Sequence, residues 1–134
     1  MCGIPNMNVE VPCDSVETLR ATEHLLFKVK GPKYVRFARE ATPVVTDTKT
    51  PYKWGKANVI RFRGAKPKFK DAFQHKLASQ YKNEGEDISI IACGPSVPEA
   101  MRAAWILKNE FDIETRVVNI HSVKPLDETA IVKA

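Results

Sequence analysis

Apolar Val9 and Val11 alternate with polar residues in the run NVEVPC, the period of a short strand. Asp14 follows, with Glu17 three positions later, the spacing of a capping box that opens a helix near Ser15. Val16, Leu19, Leu26 and Val29, with Leu25 alongside, lay an apolar stripe along roughly four turns. Gly31-Pro32 stops that helix, because glycine tolerates left-handed backbone and proline cannot extend the helix. Tyr34, Val35 and Phe37 then predict a second buried strand that delivers Arg39 just past its end. A strand, helix, strand unit with a guanidinium at its C-terminal edge is where α/β sheets bind ligands.

Residues 42–58 hold Pro43, Pro51 and Gly55 with little periodicity and predict an irregular crossing segment. Val59 and Ile60 predict a short strand within 57–63. Phe69, Phe73, Leu77 and Tyr81 recur every four residues, with lysines and polar residues on the other side, and predict an inserted amphipathic helix over 68–83. Ile88, Ile90, Ile91 and Ala92 read as a strand covered on both faces. Cys93-Gly94-Pro95 turns the chain, and Ser96 with Glu99 makes a second capping box with Pro98 in the first turn. Ala100, Met101, Ala104, Trp105 and Leu107 populate the next helix, Val117, Val118 and Ile120 the next strand, and Asp127 caps a last helix. Strand, helix, strand with a helical crossover implies parallel, right-handed pairing.

Charge changes this picture in one place. Ten Lys and Arg residues between Lys49 and Glu84 face only Asp71 and Glu84, so that segment carries +8 of a net +5 and the remainder sums to −3. Such a run can mark nucleic acid. Without a recognition helix, and with its aromatics at core spacing, it reads instead as a solvated connector with no specific nucleic-acid partner. With 43% apolar and 28% charged residues the composition is ordinary for a globular chain. No apolar run approaches a membrane span and no basic-then-apolar leader opens the chain. Cys2, Cys13 and Cys93 are odd in number and lack metal or CxxC spacing, so three free thiols in a reducing cytoplasm are expected.

Little else carries chemistry alone. His24 and His75 fall inside the expected helices without ligand partners, and His121 at a strand end reads as a hydrogen-bonded turn residue. No Asp, Glu, His and Cys cluster has metal spacing, and no serine or cysteine has triad companions. Gly94 before a helix invites a phosphate-loop reading, but one glycine satisfies no such pattern and Pro95 and Pro98 remove two backbone donors.

Two blocks closely resemble transketolases, in the family's order. The first holds Ile4-Pro5-Asn6-Met7, Pro12 with Asp14, Gly31-Pro32, and Arg36, Arg39 and Pro43; it resembles the end of the pyrimidine-binding domain. The second, from Asp87 through the Lys124-Pro125-Leu126-Asp127 turn, resembles the opening of the C-terminal domain. The resemblance implies an α/β architecture in three parts. Residues 1–43 would end the pyrimidine-binding domain, 44–86 form a connector with the inserted helix, and 87–134 begin the C-terminal domain.

What the resemblance implies for function is a piece of an enzyme that moves a two-carbon ketol unit between sugar phosphates of the pentose phosphate pathway. Thiamine diphosphate and Mg2+ would be bound by the parent protein and not by this fragment, which would be inactive alone. Its partners would be the remaining N-terminal section of transketolase and a second copy in a homodimer. Arg39 aligns with the arginine that binds the substrate phosphate in transketolases, and a guanidinium suits phosphate oxygens. Arg36 is structural on this reading. Two alternatives stand beside it: a non-catalytic partner-binding module, or another thiamine-diphosphate enzyme such as deoxyxylulose phosphate synthase or a pyruvate dehydrogenase β subunit.

Overall fold

The computed structural model describes residues 1–134 as two small sheets joined through a shared core. In the first sheet, β1 (Asn8–Glu10) leads into α1 (Ser15–Lys28), which returns the chain to β2 (Lys33–Val35), parallel to β1 with Val9 opposite Tyr34. Asp14 caps α1, accepting from Glu17 N at 2.9 Å. Glu17 reaches back to Cys13 N at 2.7 Å, so the expected reciprocal cap forms one residue early. Gly31 turns the chain at a φ of +85°.

The second sheet contains β3 (Asn58–Phe62), β4 (Phe73–Leu77), β5 (Ile88–Ala92) and β6 (Thr115–Asn119), in the order β4-β3-β6-β5. The crossover from β5 to its parallel neighbour β6 is α2 (Ser96–Phe111). A short β7 (Ser122–Lys124) then leaves this sheet and pairs antiparallel with β1, giving the first sheet the order β2-β1-β7. Asp127 caps α3 (Glu128–Val132), as expected.

Several expectations are corrected. No helix spans 68–83: a turn of 3-10 helix at Phe69–Ala72 leads into β4, which pairs with β3 from Phe62–Phe73 to Asn58–Leu77. A four-residue spacing is also twice the period of a strand, so Phe73 and Leu77 share a strand face as readily as a helix face. α1 buries Glu17, Ala21 and Leu25, while Leu19 and Leu26 lie exposed. Glu17 turns inward because Cys13 N and Asn119 supply donors there. β2 ends at Val35, and Phe37 is exposed. Ser96 exchanges hydrogen bonds with the backbone of Cys93 instead of capping α2 with Glu99. β5 is an edge strand with Ile88 and Ile91 exposed; the strand covered on both faces is β6.

The core lies on both faces of the second sheet. Ile60, Phe73 and Val117 pack with Val97, Met101 and Ala104 of α2, and Cys13 and Val45 join them from the N-terminal part. Val59 and Val118 face the other way, with Ile120 and Ala130. The basic segment is only partly solvated. Arg61 is buried and pairs with Glu114 at 2.7 Å, Glu84 at 2.8 Å and Glu86 at 3.2 Å, while Arg63 takes Glu84 at 2.7 Å.

Candidate functional site

The parallel strands β1 and β2 end on the same side as the N-terminus of α1, and a loop from Arg36 to Thr46 crosses that edge. Its ends are tied. Arg36 N donates to Glu10 O at 2.9 Å, while Val45 N and Thr46 N donate to Asp14 Oδ2 at 2.8 and 2.6 Å. Thr46 Oγ1 adds a bond to Asp14 Oδ1 at 2.7 Å. Beneath the loop lies a cleft of about 370 Å3, with Asp14, Ser15 and Thr18 on one wall and Ala38, Glu40 and Thr42 on the other. Arg39 sits between two of those lining residues, exposed and in none of the chain's ion pairs. Neither Glu40 nor Glu10 forms an ion pair with it, and Glu10 is buried and engaged elsewhere.

That engagement is a buried polar seam between the two sheets. Glu10 Oε2 meets His121 Nδ1 at 3.2 Å, and Ser122 Oγ donates to Glu10 Oε1. Glu17 accepts from Asn119 Nδ2 at 2.8 Å. The Tyr52 ring stacks on His121 with centroids 4.7 Å apart. Burial opposes a charge on His121, yet its hydrogen bond to Glu10 and the negative charges of Glu17 and Glu10 outweigh that and raise its pKa above the usual 6.5. Burial, then Glu10 and Glu17, push the Tyr52 hydroxyl up as well. His121 is therefore no simple turn residue. Glu10 and His121 stand 111 positions apart, which hides the pair from a linear reading; the one signal is an acid between Val9 and Val11.

No histidine lines the cleft. His75 lies on β4, pushed down to about 4 by burial, and His24 packs beside Trp54 on α1. No three His, Cys, Asp or Glu side chains are grouped to hold a metal ion. The buried carboxylates of Glu10, Asp14 and Glu17 are all occupied by donors of the chain itself. These residues do not fit a magnesium-diphosphate group.

The family described as transketolase, C-terminal domain, matches residues 78–134. The whole chain is 32% identical to a protein of Methanocaldococcus jannaschii named as a transketolase C-terminal section, covering 35% of it. Along its whole length this chain is similar to the C-terminal section of transketolases. The chain is also 31% identical over its full length to a 6-deoxy-6-sulfo-D-fructose transketolase subunit of a Clostridium strain, covering 34% of that subunit. A solved split-gene transketolase, described as an inactive β4 tetramer, superposes with a TM-score of 0.71 at 30% identity over 98% of this chain and 36% of its own. The chain thus spans about a third of the length of these relatives. No helix is long and apolar enough to cross a membrane.

Proposed function

We propose that this chain serves as part of a split transketolase, an enzyme that transfers a two-carbon ketol unit between sugar phosphates. The observation that carries the reading is the full-length match to subunit-type relatives, with Arg39 exposed at the C-terminal edge of a parallel strand pair. Thiamine diphosphate and Mg2+ would be held by a complementary section, since the acids here are already engaged. The coenzyme supplies the carbanion chemistry when bound; this chain's part is to seat the substrate phosphate through Arg39. Residues 1–43 would close a pyrimidine-binding domain and 87–134 open the C-terminal one. The assembled enzyme would be a cytoplasmic dimer, consistent with three free cysteines.

The test mixes the chain with a thiamine-diphosphate-binding N-terminal section from the same source and measures ketol transfer. Activity should need both chains, and the chain alone should neither bind the coenzyme tightly nor turn over substrate. In the active mixture Arg39→Ala should raise KM for phosphorylated sugars by roughly one to two powers of ten, the loss of one charge-assisted contact. Equal losses on phosphorylated and unphosphorylated sugars would make Arg39 structural and overturn its assignment.

A further inference from the structure

We infer that Asp14 is a positioning residue for Arg39, setting the geometry of the phosphate-binding loop without touching the substrate. The inference rests on the phosphate-binding reading of Arg39. Its own support is the hydrogen-bond inventory of one carboxylate.

An ionised carboxylate offers about four lone-pair sites on its two oxygens. Asp14 fills all of them from within the chain: Glu17 N at 2.9 Å and Thr46 Oγ1 at 2.7 Å on Oδ1, with Val45 N at 2.8 Å and Thr46 N at 2.6 Å on Oδ2. The side chain is buried, and nothing remains to receive a ligand hydroxyl. One side chain therefore joins the N-terminus of α1 to the far end of the Arg36–Thr46 loop.

The intervening residues have little else to hold them. Residues 37–44 belong to no helix or strand and enter no backbone hydrogen bond. All of them except Thr42 are exposed. The loop is a strap fastened at Glu10 on one side and at Asp14 on the other, with Arg39 between the fastenings. A guanidinium on such a strap binds phosphate well only if its backbone is already placed, since ordering it on binding costs affinity. Releasing the Asp14 end would lengthen the free segment and spread Arg39 over more positions.

Asp14→Ser separates this role from helix capping. Serine is as good a cap as aspartate, so the bond to Glu17 N survives, but its single oxygen cannot also hold Val45 and Thr46. In the full chain, hydrogen exchange should quicken at least tenfold at Val45 and Thr46, whose amides Asp14 holds, while α1 keeps its protection; unchanged exchange at those two amides would overturn the inference. In the assembled enzyme, Asp14→Ser should raise KM about tenfold for a phosphorylated sugar and not for an unphosphorylated one. Combined with Arg39→Ala it should add nothing further, because both changes act through one contact. An additive loss would mean Asp14 acts independently of Arg39 and would overturn the inference. If Arg39→Ala itself spares the preference for phosphorylated sugars, the phosphate reading fails, and the positioning role, which is defined by that contact, falls with it. Exchange at Val45 and Thr46 then reports separately whether Asp14 fastens the strap.

Discussion

Replacing Glu10 by Gln removes the negative partner of a histidine that has no exposure to water. In the native chain His121 and Glu10 meet at 3.2 Å, both fully buried, with Ser122 on the second carboxylate oxygen and the Tyr52 ring against the imidazole. Removing one member of a buried pair costs about 3–5 kcal/mol. The variant should lie near the lower end, because Ser122 can still bond the amide and His121 can shed its proton. A cost of about 3 kcal/mol corresponds to roughly 10 °C in Tm for a chain of this size. The pH dependence gives the sharper readout. His121 holds its proton more tightly when folded than its ordinary 6.5, so its contribution is complete below that value and fades as the pH rises through the folded pKa. Urea unfolding of both proteins at about pH 6 and about pH 9 should therefore show a large stability gap at the lower pH and a smaller one at the higher. A gap that is constant, or that widens with pH, would refute the charged pair.

Arg61→Ala should cost about 3 kcal/mol in the same assay, because it takes the nearer cation, at 3.2 Å, from the fully buried Glu86 side chain and leaves it Arg116 at 3.9 Å. Gly94 holds a φ of +57°, and a Cβ there would meet Val11 Cγ1 at 2.7 Å, so Gly94→Ala should lower stability by at least the roughly 1–2 kcal/mol of left-handed backbone. Affinity for a short oligonucleotide should fall at least tenfold between about 50 and about 200 mM salt and show no sequence preference, as counterion release alone dictates; retention at the higher salt would contradict it.

The elements legible in the sequence are those whose signals are local. Asp14 and Asp127 announce helix starts, Gly31-Pro32 a stop, and the run from Ile88 to Ala92 a strand, and each lies where the residues place it. What failed depended on distant partners. The spacing of Phe69, Phe73, Leu77 and Tyr81 fits two periods, and only the hydrogen bonds of β4 to β3 decide between them. The buried face of α1 was misassigned because Glu17, an acid expected outside, finds Asn119 102 positions away. Arg39 was legible as a residue after a strand, but the fastening of its loop to Asp14 spans 31 and 32 positions and has no local signature.

Both sheets depend on the same late stretch of chain. β3 and β5 have no contact as strands except through β6, and β1 gains its third strand only from β7. A nascent chain emerging from the ribosome can close the β3–β4 hairpin and wind α1, but β3 waits for residues 115–119 before it reaches β5. Chains commonly fold from the N-terminus as they are made. Here the earliest strand stays half-paired until Ser122 and Lys124 appear, with Glu10 lacking its histidine for that whole interval. Any stop upstream of Thr115 would leave two unfinished sheets, so a shortened product should go to proteolysis and not persist as a smaller stable domain.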